Sequence, residues 1–167
     1  MSQLNNLESI NLLYRNSQIL SNGSIESIVR SLKPFKNLTK LYLDFYFCNK
    51  LENEQVDQIS EIVSQQNCLQ KIEINLGWNK KISNKSIANL INSLKYQTGI
   101  KKLFLSFHYI RSVQQLGQLP KSLKSMTNLS ELNLIFGACS SLDQNDVYKI
   151  FTLTLKSNNK YSLILLN

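Results

Sequence analysis

Few side chains in this sequence could carry catalytic or metal chemistry. The chain has three cysteines and one histidine. Cys48, Cys68 and Cys139 are widely spaced, with no CxxC pair and no cysteine–histidine cluster, so they do not fit a zinc site. No serine, cysteine or aspartate forms a recognisable catalytic motif around His108. We therefore predict a protein that is not an enzyme and has no catalytic residue, no metal ligand and no cofactor.

The composition predicts one folded domain. The chain has 167 residues, of which 43% are hydrophobic and 18% are charged, which is too apolar for a disordered protein. Cysteines without a disulfide-like pattern favour a reducing compartment. The N-terminal segment lacks the apolar run of a signal peptide, and no run of about 18 apolar residues could span a membrane. We expect a soluble, intracellular and cytoplasmic protein that makes no contact with a membrane.

A repeat of about 31 residues runs along the chain. Its first apolar residues are Leu7, Leu38, Leu69, Ile100 and Leu129. Counting each of these as position 1, the apolar residues at positions 4, 6 and 8 are Ile10, Leu12 and Tyr14; Leu41, Leu43 and Phe45; Ile72, Ile74 and Leu76; Leu103, Leu105 and Phe107; and Leu132, Leu134 and Phe136. Alternation with a period of two is typical of a strand with one buried face. Each repeat is therefore predicted to begin with a short β-strand.

The second half of each repeat has helical spacing. Apolar residues recur at positions 19 and 22, which are Ile25 and Ile28, Val56 and Ile59, Ile87 and Leu90, and Val147 and Ile150. Spacing by three and four residues predicts an amphipathic helix. We expect Ser24, Asn53 and Asn84 to be the helix N-caps, because Ser and Asn are favoured there. The repeat at 100–128, which is shorter and contains Pro120, is expected to be irregular.

These motifs resemble the leucine-rich repeat family, in particular its ribonuclease-inhibitor-like subclass. The matching segments are LTKLYLDF, LQKIEINL, IKKLFLSF and LSELNLIF. The resemblance implies an α/β solenoid curved like a horseshoe, with a parallel β-sheet on the concave face and helices on the convex face. Residues 1–167 would form one domain of about five strand–helix repeats, starting near residues 7, 38, 69, 100 and 129, with a partial repeat from residue 161.

The family places Asn or Cys where the chain leaves the strand. Position 11 of the repeats is Ser17, Cys48, Asn79, Ile110 and Cys139. A small polar side chain there would bond the backbone of the adjacent turn. Cys48 and Cys139 are therefore interpreted as structural residues, and Cys68 as a small apolar residue at the end of a helix.

Family members usually bind partners on the concave face. The candidate binding residues on that face are Lys40, Tyr42, Asp44, Lys71, Glu73, Asn75, Lys102, Phe104, Ser106, Glu131 and Asn133. In adjacent strands Lys40, Lys71 and Lys102 would form a column of like charges. Either Asp44 and Glu73 offset this column, or the face binds a partner.

Position 9 adds two rings to this face. The residues at position 9 are Arg15, Tyr46, Gly77, His108 and Gly137, which places two rings beside two glycines. With Tyr42 and Phe104, the two rings could surround a shallow site for a side chain of a partner. If position 9 has already left the strand, Tyr46 and His108 would only cover the rim.

A second candidate surface is basic. The net charge is +8, and residues 100–128 contain no acidic residue. The candidate basic patch consists of Lys80, Lys81, Lys85, Lys101, Arg111, Lys121 and Lys124. Such a patch could contact phosphates, although no known nucleic-acid motif accompanies it. A solvated face is the alternative.

The sequence favours a non-catalytic scaffold or recognition module that binds another protein, as a small subunit of a larger intracellular assembly. The alternative is binding of RNA or another acidic surface through the basic patch. The C-terminal segment YSLILLN is apolar on both faces as a strand. We expect a partner, a second copy of the chain or further sequence to cover it.

Overall fold

A computed structural model describes residues 7–110, 113–114, 116–139, 142–155 and 160–164. Strands and helices alternate along these residues. They are β1 (Ser9–Leu13), α1 (Asn22–Arg30), β2 (Lys40–Asp44), α2 (Asn53–Ser64), β3 (Lys71–Asn75), α3 (Asn84–Ser93), β4 (Lys102–Ser106), α4 (Leu119–Ser125), β5 (Glu131–Ile135), α5 (Gln144–Leu155) and β6 (Lys160–Ile164). A short 3₁₀ helix, Leu94–Tyr96, follows α3. The strand and helix predicted for each repeat are therefore present.

The strands form one sheet in the order of the sequence. Every neighbouring pair from β1 to β6 is parallel. The register places Lys40 opposite Lys71 and Lys71 opposite Lys102, so equal positions of successive repeats are neighbours. A parallel sheet built from strand–helix repeats fits a leucine-rich-repeat type of fold. The curvature of the sheet and the ribonuclease-inhibitor-like subclass stay predictions.

The core lies between the sheet and the helices. Leu41 and Leu43 of β2 and Val56 and Ile59 of α2 are buried, and the equivalent residues of the third and fifth repeats belong to the same cluster. Burying one such side chain contributes roughly 1.5–3 kcal/mol. The other side of the sheet carries positions 3, 5 and 7 of the repeats, and we call it the strand face.

The turns after β1 to β5 use a left-handed backbone conformation. Their residues with positive φ are Asn16, Phe47, Trp78, Tyr109 and Ala138. Bulky residues rarely adopt this conformation. Here hydrogen bonds to the next repeat hold it, because the Phe47 N–H donates to the Gly77 carbonyl (2.9 Å) and the Trp78 N–H donates to the His108 carbonyl (2.7 Å). The turns therefore continue the ladder of the sheet.

The helix N-caps differ from those predicted. Ser21, Glu52 and Ser83 are the N-caps of α1, α2 and α3, so the prediction of Ser24, Asn53 and Asn84 is wrong by one to three residues. Ser21 Oγ accepts a hydrogen bond from the Ser24 N–H at 3.1 Å. Asn53 instead reaches the next repeat, where its Oδ1 accepts from the Ser83 N–H at 2.7 Å. These asparagines connect repeats and do not cap helices.

The fourth repeat is irregular, as expected. Its helix α4 has only seven residues, and Pro120 lies in its first turn. Proline is compatible with that position because the N–H groups of the first turn have no carbonyl acceptor within the helix, so a residue without an N–H loses no helical hydrogen bond. Among the described residues, no helix is both long and apolar enough to cross a membrane. Strand β6 occupies part of the C-terminal apolar segment, and residues 165–167 lie outside the described residues.

Candidate functional site

A cavity of about 370 Å³ opens on the strand face. We call it the strand-face cavity, and its lining residues are Arg15, Tyr42, Leu43, Asp44, Tyr46, Glu73, Asn75, Phe104, Ser106, His108 and Ile135. The cavity therefore spans five consecutive repeats. Its lining combines aromatic rings, two carboxylates and one guanidinium, a mixture typical of binding sites with a few oriented polar groups.

The register of the strands sets the floor of the cavity. Tyr42 lies opposite Glu73, and Glu73 lies opposite Phe104, in three adjacent strands. Adjacent strands are about 4.8 Å apart, so the Glu73 position lies between two ring-bearing positions. Burial is the first cause that raises the pKa of the Tyr42 hydroxyl, and the charges of Asp44 and Glu73 raise it further. Both carboxylates therefore act electrostatically on the Tyr42 hydroxyl.

Asp44 has a different role from the one predicted. Its side chain is almost fully buried, with 3% of the residue exposed. Its Oδ1 accepts a hydrogen bond from the Tyr46 N–H at 3.0 Å, and its Oδ2 lies 3.5 Å from the Arg15 Nε. Asp44 therefore pairs with Arg15 and not with the lysine column. This part of the prediction is wrong because the turn after β1 brings Arg15 over the end of β2.

Acidic residues of the same face do offset the lysine column. Lys71 Nζ lies 2.6 Å from Glu73 Oε1, and Lys102 Nζ lies 2.6 Å from Glu131 Oε1. The hydrogen bond to Glu73 is the main cause that raises the pKa of Lys71. The prediction is right for Glu73, and Glu131 supplies the second pair. Both pairs are partly exposed, and each contributes only about 0.2–1 kcal/mol to stability.

Gly77 makes room for Tyr46 beside the cavity. A Cβ atom at Gly77 would lie 3.1 Å from Tyr46 Cδ2 and 3.2 Å from the His108 carbonyl oxygen, both closer than ordinary contacts. The Gly77 carbonyl accepts a hydrogen bond from the Phe47 N–H, so the backbone hydrogen bonding between the repeats continues here. Both Tyr46 and His108 line the cavity. Within the described part of the chain, the buried His108 Nδ1 has no hydrogen-bond partner. Position 9 has already left the strand, because β2 ends at Asp44 and β4 at Ser106, yet Tyr46 and His108 line the cavity together with Tyr42 and Phe104.

The predicted concave-face residues divide into three groups. The strand-face cavity is lined by Tyr42, Asp44, Glu73, Asn75, Phe104 and Ser106. Lys40 and Lys71 line a smaller neighbouring cavity of about 130 Å³. Lys102 pairs with Glu131, and Asn133 lies opposite Phe104 in the next strand. The candidate set omitted Arg15, Tyr46 and His108, which occupy position 9 in the turns after the strands.

The candidate basic residues lie on several different elements. Lys80 and Lys81 follow β3 at the carboxyl edge of the sheet, whereas Lys101 precedes β4 at the amino edge. A strand of five residues separates these edges by about 17 Å. Lys81 is also paired with Glu52. The other members are Lys85 in α3, Lys121 and Lys124 in α4, and Arg111, which lies outside the described residues.

The three cysteines lie in different environments. Cys48 and Cys139 are buried, and burial raises the pKa of both thiols, that of Cys139 to about 11. Cys139 Sγ donates to the Phe107 carbonyl at 3.3 Å, as expected for position 11. Cys68, interpreted as a small apolar residue at the end of a helix, is exposed and lies in the loop between α2 and β3. No cluster of three His, Cys, Asp or Glu residues suited to a metal occurs in the part of the chain that the structure describes.

Several solved structures share this fold, among them one of leiomodin-1 and one of tropomodulin. A structure of actin-binding site 2 of leiomodin-1 matches with a TM-score of 0.56 and 17% sequence identity, over 91% of this chain and 86% of that chain. The C-terminal domain of tropomodulin from Caenorhabditis elegans matches with a TM-score of 0.53 and 13% identity, over 91% of this chain and 89% of that chain. No protein-family model and no curated protein matches the sequence. At these identities the likeness concerns the fold alone.

Proposed function

We propose that the chain is an intracellular, non-catalytic protein-binding module that recognises its partner through the strand face. The observation that carries this proposal is the strand-face cavity, where Tyr42 and Phe104 are half-buried beside charged groups. Half-buried aromatic side chains are typical anchors of protein interfaces, because they bury a large area at a small cost in side-chain entropy. In this proposal the repeats form one curved domain, and the strand face is concave.

The fold comparisons suggest a first partner to test. The leiomodin-1 structure is named for an actin-binding site. Co-sedimentation of the purified chain with actin filaments would assign that partner or exclude it. The proposal for the strand face does not depend on this assignment, since the same face could serve another protein. Nucleic acid is not proposed, because the candidate basic residues are divided between two edges of the sheet and the helix layer.

The proposal is tested by quantitative affinity capture from the source cell. The face variant Tyr42→Ala/Phe104→Ala removes both rings beside Glu73. The matched control Tyr96→Ala/Tyr148→Ala removes two rings that are 73% and 67% exposed outside the cavity. We expect a partner that the wild type and the control recover equally and that the face variant recovers at least fivefold less, a loss of about 1 kcal/mol. Equal recovery by the face variant, with its fold intact by circular dichroism, would contradict the proposal.

A further inference from the structure

The lining of the strand-face cavity contains more carboxylates than cations, whereas the chain as a whole is basic. The chain carries a net charge of +8. Among the residues that line the cavity, the carboxylates of Asp44 and Glu73 outnumber the single guanidinium of Arg15. A cavity with an acidic lining on a basic protein favours a positively charged group, because low-dielectric walls strengthen the attraction.

The arrangement of the rings fits the same kind of group. Glu73 lies between Tyr42 and Phe104 in neighbouring strands, and all three residues line the cavity. A cation placed there would meet a carboxylate together with the faces or edges of two rings. Aromatic rings attract cations through their quadrupole, most strongly where water is partly excluded. An anion placed there would meet the Glu73 carboxylate, while the guanidinium of Arg15 is already paired with Asp44.

The structure already contains one example of this recognition. The guanidinium carbon of Arg15 lies 5.0 Å from the centre of the Tyr46 ring, and the Arg15 Nε lies 3.5 Å from Asp44 Oδ2. One ring and one carboxylate thus hold a guanidinium at the rim of the cavity. The Glu73 position offers a similar combination with two rings, and its carboxylate is paired with the partly exposed Lys71.

We propose that the strand-face cavity binds the guanidinium or ammonium group of an arginine or lysine side chain of the protein partner, with Glu73 as its counter-ion and Tyr42 and Phe104 as its walls. This inference rests on the proposed function. The cation of the partner replaces Lys71 as the partner of Glu73. This exchange costs little free energy because the existing ion pair is partly exposed to solvent.

The probe for this site is ethylguanidinium, with N-ethylurea as its neutral isostere and propionate as the anionic alternative. Two backbone amides report on the cavity by NMR. The Tyr46 N–H is bonded to Asp44 Oδ1, and the Gly77 N–H is bonded to Asn75 Oδ1. We expect both amide signals to shift and saturate with ethylguanidinium, with a Kd on the order of millimolar for so small a ligand.

Three variants test the assignment to Glu73. Glu73→Gln is expected to weaken ethylguanidinium binding roughly three- to fivefold, and Lys71→Met is expected to strengthen it by a similar factor because the competing cation is gone. Glu131→Gln is the control, since it breaks an ion pair of the same face whose residues do not line the cavity. It should leave the Kd unchanged within about twofold.

Two results would overturn the inference. In one, N-ethylurea gives the same saturable shifts as ethylguanidinium, which would show that charge is not recognised. In the other, propionate saturates the site and ethylguanidinium does not, which would assign the cavity to an anion at Arg15. Either result leaves the affinity-capture test of the strand face standing, so failure of the cation site and failure of the proposed function are distinguishable.

Discussion

Asn79 and Cys48 occupy the same position of successive repeats and are joined by a hydrogen bond. The Cys48 backbone N–H donates to Asn79 Oδ1 at 2.9 Å. The Asn79 side-chain amide also donates to the carbonyls of Phe45 and Leu76, both at 2.8 Å. One buried side chain thus bonds backbone groups of two repeats, which fixes the turns after β2 and β3.

The first prediction concerns this asparagine. Asn79→Ala would leave a buried N–H and two buried carbonyls without their partner, at a cost of roughly 2–4 kcal/mol. Ser17→Ala is the control at the same repeat position, where the side chain is only partly buried. We expect it to change the free energy of unfolding by less than about 0.5 kcal/mol. Urea denaturation of both variants measures the difference, and equal stabilities would contradict the role given to Asn79.

The second prediction concerns the space at Gly77. An added methyl group at Gly77 would meet Tyr46 Cδ2 at 3.1 Å and the His108 carbonyl oxygen at 3.2 Å, so Gly77→Ala should destabilise the fold by roughly 1–2 kcal/mol. At Gly23 in α1 the nearest atom would be Ser21 Oγ at 3.9 Å, an ordinary contact. Gly23→Ala should be neutral or stabilising by up to about 1 kcal/mol.

Thermal unfolding of these two glycine variants provides the measurement. We expect Gly77→Ala to lower the Tm and Gly23→Ala to leave the Tm unchanged or raise it. A Gly77→Ala protein as stable as the wild type would mean that Tyr46 does not pack against Gly77 as described.

The third prediction tests the left-handed turns. Ala138 has a φ of 56°, a conformation that disfavours any residue with a Cβ atom. Ala138→Gly should therefore stabilise the protein, by roughly 0.5–1 kcal/mol after the entropy of the glycine is included. Ala88→Gly, in the middle of α3, should instead destabilise it by about 1 kcal/mol. If both substitutions destabilise the protein equally in urea, the turn at Ala138 is not left-handed.

The fourth prediction concerns thiol reactivity. Iodoacetamide modifies thiolates, and the Cys139 thiol, with its pKa raised to about 11 by burial, stays protonated at pH 8. Cys48 is also buried with a raised pKa, whereas Cys68 is exposed. Mass spectrometry should find one modified cysteine in the native protein and three after denaturation. In Cys68→Ser the native protein should stay unmodified, and rapid labelling of Cys139 there would contradict the structure.

The strands and their register were predictable from the sequence because both depend on periodicity. The alternation of Leu41, Leu43 and Phe45 predicts one buried face, and the spacing of 31 residues predicts that Lys40 lies beside Lys71. The segments SNGS and ISNKS each contain more than one good capping residue within four positions. Only the backbone conformation distinguishes them, which is why the predicted N-caps were displaced.

The site was only partly predictable because it combines strands with turns. Tyr42, Glu73 and Phe104 follow from strand alternation and register. The contact of Arg15 with Asp44 depends on the direction of the Arg15 side chain, which lies in the turn after β1. Phe47 and the equivalent Trp78 and Tyr109 are not residues that normally indicate such a turn. Strand periodicity carries no information about that direction.

Site-specific photo-crosslinking in the source cell tests the central claim most directly. Benzoylphenylalanine would replace Phe104, which lines the strand-face cavity, or Tyr148, which is 67% exposed on α5. Both positions already carry a ring, so neither replacement should disturb the fold. The account predicts a crosslinked protein partner from position 104 and none from position 148. Crosslinking of the same partner from position 148 alone, or equally from both positions, would contradict recognition through the strand face.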